Sequence, residues 1–158
     1  MPETGGIQAR PRRERTSPCI GVCSTTFGDL VCRGCKRFAH EVVDWNGYEA
    51  DQRLAIWRRL AALRDASVAA FVSVVDADAL EAAAARMHIA PVPEQTPLTL
   101  AYETLRRTRG APDFAALGLA TSPAGAAIPP AELFATISRE FLTRSTAAYE
   151  RNFRIPAE

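Results

Sequence analysis

The chain has 158 residues, 47% of them hydrophobic. That suits one ordinary domain, or a small module with a helical body, and excludes wholesale disorder. Nineteen basic residues against eighteen acidic ones give a formal net charge of +1, which argues against nucleic-acid binding through overall charge and leaves only a local basic patch open. No apolar run approaches a membrane span, and the polar start has no apolar signal-peptide stretch, so no membrane contact and a cytoplasmic location are expected.

Residues 1–16 carry Gly5, Gly6, Pro2, Pro11 and the arginines Arg10, Arg12, Arg13 and Arg15. They read as a flexible basic tail, either a solvated terminus or an arm for nucleic acid or an acidic partner. All four cysteines follow at once, as Cys19-x3-Cys23-x8-Cys32-x2-Cys35. In a reducing compartment two disulfides are a poor reading of such a cluster. Two close pairs joined by a short loop can bring four sulfurs to one point, and four soft, anionic thiolates suit a tetrahedral zinc or an iron–sulfur cluster. The spacing departs from the usual two-residue zinc pairs and from ferredoxin patterns alike, and either centre with four thiolates carries about two formal negative charges. Zinc and iron–sulfur both stay open.

Within Cys32-Arg33-Gly34-Cys35, a glycine before the second cysteine permits a sharp turn whose amides point at sulfur. Arg33, Lys36 and Arg37 add positive charge, and a helix starting after Cys35 would present its positive end to the thiolates. On the other side, Gly21 loosens the turn between Cys19 and Cys23, and Gly28-Asp29 turns the chain back toward Cys32.

Lys36 to Trp45 reads as a short helix with Phe38, Val42 and Trp45 on one face, stopped by Asn46-Gly47. His40, one turn beyond the proposed metal end, reads as a surface or packing residue, and His88 as a helix-end residue. A second helix is expected from about Glu49 to Arg64, with Leu54, Trp57, Leu60, Ala61 and Leu63 as its stripe. Trp45 and Trp57 read as a small core over the knuckle more readily than as a base-stacking pair. Residues 66–75 fit helix or strand, with alanine-rich surroundings favouring helix.

Asp76 or Asp78 caps the next helix, through Arg86-Met87. Thr96-Pro97 starts another, with Leu98, Tyr102 and Leu105 together. A short helical turn is expected over Pro112 to Leu117, a loop over Thr121 to Pro130, and a long helix from Pro130 to about Tyr149.

The run Ser17-Pro18-Cys19-Ile20-Gly21-Val22-Cys23, then Cys32-Arg33-Gly34-Cys35, Glu41 and Trp45, resembles a family of short bacterial proteins of unknown function labelled "predicted Fe–S protein". Its pattern is S-P-C-x3-C, a variable loop, C-x-G-C, a helix with E-x3-W and a charged second helix. The resemblance covers residues 17–64 and implies bacterial origin, a cytosolic location and four cysteine ligands. It implies no activity. The family often caps its second helix with Ser or Thr after the Trp, where this chain has Asn46, Gly47 and Tyr48.

The expected architecture is therefore mostly α: a basic tail (1–16), a four-cysteine metal-binding module with two short helices (17–64), and a helical region of unknown role (65–158). No G-x-G-x-x-G, P-loop, H-E-x-x-H or G-x-S-x-G is present, so an enzyme is not the expectation. The leading reading is a structural or interaction module with a protein partner, its metal held by Cys19, Cys23, Cys32 and Cys35. Electron transfer or redox sensing through an iron–sulfur cluster is the alternative. Nucleic-acid binding through Arg10 to Arg15 with Arg33, Lys36 and Arg37 is a third.

Overall fold

A computed structural model describes residues 13–153, so Arg10 and Arg12 of the basic tail lie outside the described residues. The fold is mostly α, as expected. In chain order it runs α1 (Ala39–Asp44), α2 (Ala50–Ala69), β1 (Val72–Val74), α3 (Ala77–Arg86), α4 (Pro97–Arg107), β2 (Leu119–Thr121), α5 (Pro123–Ala126) and α6 (Leu133–Phe153). Short 3-10 turns occupy Ser24–Phe27, Trp45–Gly47 and Pro130–Glu132.

Local chemistry explains the helix starts. Glu49 opens α2, its amide donating to Gln52 Oε1 at 2.8 Å, so Glu and Gln do here what a Ser or Thr cap does elsewhere. Asp76 Oδ1 accepts from the Ala79 amide at 3.0 Å to open α3. Thr96 caps α4 from just before Pro97, whose missing N–H costs nothing there.

The long helices α2 and α6 pack on each other, and α4 lies against both and against α3. One apolar cluster runs through the interior, from Trp45, Trp57 and Leu60 to Leu80, Leu105, Leu133 and Phe141. Trp45 and Trp57 meet edge-on, with ring centroids 6.5 Å apart, inside this common cluster. The expected boundary after residue 64 falls inside α2, so the cysteine segment and the later helices share helix and core.

Several expectations give way. The first helix begins at Ala39 and not Lys36, because Lys36 has left-handed backbone (φ +63°) and belongs to a turn. Residues 66–75 divide: α2 continues to Ala69, then Val72–Val74 pairs antiparallel with Leu119–Thr121, Ser73 opposite Ala120. A partner strand far along the chain overrides the helical preference there. Gly118 (φ +68°) seats that partner, since a side chain at this position would run into the Asp76 carbonyl.

The short helical turn expected before Gly118 is present, Leu117 N donating to Asp113 O at 3.1 Å, whereas the expected loop after Thr121 contains α5, capped by Ser122. Arg15 belongs to the body and not to a tail: its amide donates to Pro91 O at 3.0 Å and its guanidinium to Glu103 at 2.7 Å. Among the described residues no helix is long and apolar enough to cross a membrane.

Candidate metal centre

Cys32 and Cys35 sit in the turn of a tight hairpin. Val31 and Phe38 form an antiparallel bridge, Ala39 N donates to Leu30 O at 2.8 Å, and Cys32 N donates to Arg37 O at 2.8 Å. The Lys36 amide returns to Cys32 O at 2.8 Å, and the left-handed residue Lys36 closes the turn. Rings from the end of α6 hold the hairpin from outside, with Phe38 edge-on to Tyr149 at 5.2 Å and Phe153 at 5.6 Å. Glu41 holds it from within. Its carboxylate accepts the Phe38 amide at 2.8 Å and a bidentate pair from Arg59 of α2 at 2.6 and 2.5 Å.

This turn aims amides at sulfur. Those of Gly34 and Cys35 reach the fully buried Cys32 sulfur, and the Ser24 amide joins them from the other loop. Ser24 works in both directions, since its hydroxyl accepts the Arg33 amide at 2.8 Å. Cys32 Sγ also donates to Val22 O at 3.4 Å. Gly34 lies flat on the same carbonyl, where a Cβ would have no room. The residues on both sides of Cys23 are thereby fastened to the Cys32 turn.

The two thiols of this turn are hydrogen-bonded to each other and differ in acidity. Burial pushes the Cys32 thiol up, but the amides of Cys35, Ser24 and Gly34 and the Cys35 thiol outweigh it, so its pKa is lowered. Cys35 is raised, by burial first, with Arg37 only partly opposing. Arg37 Nε donates to Cys35 Sγ at 3.3 Å while its guanidinium lies over Trp45, 4.9 Å from the ring centroid. Lys36 is buried as well. Desolvation depresses its ammonium to about 8, against the pull of Cys35 and Cys32.

Positive charge thus comes from these two side chains and not from a helix end; the first turn of α1 carries Glu41.

The other pair is built differently. Cys19 is exposed and accepts from the Gly21 amide at 3.4 Å, Gly21 being left-handed (φ +88°). That is the relation Gly34 has to Cys32, an amide two residues on meeting the first sulfur. Cys23 is half-buried, 3.2 Å from Thr25 Oγ1, at the head of the 3-10 turn. Pro18 and Ile20, on either side of Cys19, line a cavity of about 30 Å³ together with Gly34 and Cys35.

All four cysteines are free thiols. The structure joins Cys32 to Cys35 and anchors the loop of Cys23 against them, while Cys19 stays at the surface. Among the described residues no three or more His, Cys, Asp or Glu side chains are gathered as for an ion.

His40 is exposed and packs its ring 5.9 Å from Phe38 and 5.1 Å from Phe153. His88 is exposed just beyond α3. Among the described basic residues considered for nucleic acid, Lys36 and Arg37 are buried, Arg15 is paired with Glu103, and Arg33 is exposed beside Asp29.

Ser24, Val22 as a carbonyl, and Lys36 as a buried donor escaped the sequence reading. Nothing in residue type marks a backbone acceptor. The left-handed lysine carries no glycine signal.

These features define a mostly helical chain with a cysteine hairpin built into one end of its core. A family model described as "Protein of unknown function (DUF1289)" matches residues 17–64, the span of the four cysteines, the hairpin and the first part of α2. Neither the curated proteins nor the solved structures contain a match to the chain.

Proposed function

We propose that residues 17–64 form a four-cysteine metal-binding module, with Cys19, Cys23, Cys32 and Cys35 as ligands and a structural or interaction role in place of catalysis. The observation that carries this reading is the Cys32–Cys35 turn: a glycine laid on a facing carbonyl, and three amides converging on one sulfur whose acidity is raised. Amide-to-sulfur bonds stabilise thiolate, the form that ligates metal. A buried thiol serving only as a packing group has no use for them. The Gly21 amide on Cys19 supports the same role for the first pair.

In this reading Cys32 and Cys35 are the fixed half of the ligand set, and Cys19 and Cys23 complete it by moving onto them. Bound there, zinc would supply a structural cross-link, and an iron–sulfur cluster would supply one-electron chemistry. The charges of Lys36 and Arg37 offset the negative charge of either. A protein is the partner this reading calls for, because Val22, Phe27 and Leu30 expose apolar surface around the loop.

Elemental analysis of the anaerobically purified full chain, with its visible spectrum, tests the proposal. A colourless protein with one zinc per chain supports the structural module. A brown protein that bleaches on reduction supports the iron–sulfur alternative, electron transfer or redox sensing. A chain without metal refutes both.

A further inference from the structure

Lys36 is an unusual residue to bury, and its surroundings show what it does. It lies 2% exposed in left-handed backbone (φ +63°). Its Nζ donates to Arg33 O at 2.7 Å, to Gly34 O at 3.1 Å and to Ser138 Oγ of α6 at 2.7 Å. The three protons of an ammonium are thus each assigned. Ser138 is hydrogen-bonded in turn to the buried Tyr102 hydroxyl on α4, and Phe141 of α6 places its ring 5.4 Å from Nζ.

Both carbonyls bound by Lys36 belong to the peptide planes of the cysteine turn. The peptide unit whose carbonyl is Arg33 O carries the Gly34 amide, and the unit whose carbonyl is Gly34 O carries the Cys35 amide. These are the two amides that meet Cys32 sulfur from within the turn. A peptide plane is rigid, so holding its oxygen aims its N–H in the opposite direction. Lys36 therefore grips the far ends of the two peptide dipoles aimed at the Cys32 sulfur.

We infer that Lys36 is the positioning residue of the Cys32–Cys35 half-site, and that α6 is part of the site's frame through Ser138. Residues beyond 64 thereby help to hold the orientation of the peptide planes around the first sulfur. Arg15, ahead of the cysteine segment, is likewise tied to later residues, to Pro91 O and to Glu103 of α4. The inference deepens the metal reading and rests on it for its consequence, but the grip itself is a property of the protein alone.

The test compares the full chain with Lys36→Met, Lys36→Gly and Ser138→Ala. Methionine keeps a long apolar stem in the same backbone and deletes only the donor, whereas glycine also relieves the left-handed conformation. If Lys36→Met does not fold, the other two variants carry the test. With folding checked by far-UV circular dichroism, the rate of metal release to a chelator is measured for each. Release is expected to be about 10-fold faster in both Lys36 variants, and faster to a smaller extent in Ser138→Ala, the size usual for removing an outer-shell partner.

A cobalt(II)-loaded chain adds a spectroscopic reading, its ligand-field bands expected to shift in the Lys36 variants. Arg58→Ala, in an exposed pair with Glu94, is the control and should match the parent chain. Release rates and cobalt spectra unchanged in the Lys36 variants overturn the inference. If the parent chain takes up no metal, the metal reading fails separately. Amide hydrogen exchange at Gly34 and Cys35 then decides: about 10-fold faster exchange in Lys36→Gly sustains the grip, and unchanged exchange removes it.

Discussion

The two cysteine pairs differ in what holds them. Cys32 and Cys35 are buried, linked to each other, and fixed by amides, by the Lys36 ammonium and by the Arg37 guanidinium. Cys19 and Cys23 lie one exposed and one half-buried, each with a single local contact to its sulfur, from the Gly21 amide and the Thr25 hydroxyl. The Cys32–Cys35 pair is placed by the fold. In the proposed metal reading Cys19 and Cys23 are brought into place by what they bind, since an exposed sulfur such as that of Cys19 loses nothing by staying in water. If the four cysteines hold one ion, as proposed, the contrast makes that site half preorganised, its buried half held to the helical body through Ser138 and Arg59.

The largest effect that tests this contrast is at Cys32. Cys32→Ser should abolish metal retention outright, read as metal per chain after desalting, since it removes a proposed ligand and the acceptor of three amides together. Next comes the clamp behind the hairpin. Glu41→Ala leaves Arg59 without its partner and the Phe38 amide without an acceptor, and should cost about 3–5 kcal/mol in urea unfolding.

A smaller loss is expected where the two loops touch. Gly34→Ala pushes a methyl at the Val22 carbonyl and should cost about 1–3 kcal/mol, with weaker metal retention, because the Cys23 loop is moved off the Cys32 turn.

The entry to the segment supplies a pH test. Burial pushes the Glu103 carboxyl up, but Arg15 and Arg106 outweigh it and hold it below its ordinary 4.5. The unfolded chain keeps the ordinary value, so more protons bind on unfolding once the pH drops below about 4.5. The stability this pair supplies is complete above that pH and is lost as pH falls through the lower folded value. Glu103→Gln should flatten that limb of a stability-versus-pH curve.

The smallest effect sharpens the contrast most. With metal removed, Cys19→Ser should change stability by no more than about 0.5 kcal/mol, as surface substitutions do. In loaded protein the same change should speed metal release. Equal stability losses at Cys19 and Cys32 in metal-free protein would show that both pairs are equally built in, and the contrast would go.

Much of the frame was legible because its signals are local. The Asp76 and Thr96 caps, the α4 start at Pro97 and the buried Trp57, Leu60 and Ala61 of the α2 stripe depend on residues a few positions apart. The strand at Val72 was not, since its partner lies at Leu119–Thr121 and only that pairing decides between helix and strand.

At the site, cysteine spacing and Gly34 marked the turn, but the sequence placed a helix end at Lys36. A lysine in left-handed backbone, held by a serine a hundred residues away, has no signature in a window of sequence. Glu41 came through resemblance to a family, and Trp45 through helical spacing as well. Their physical reasons, a cap joined to Arg59 and a platform for Arg37, are visible only in three dimensions.

X-ray absorption at the metal edge of the anaerobically purified full chain tests the central claim most directly. Four sulfur scatterers in the first shell, reduced in number by Cys19→Ser, are the predicted result. A shell of nitrogen and oxygen, or a chain that takes up neither zinc nor iron, would contradict it.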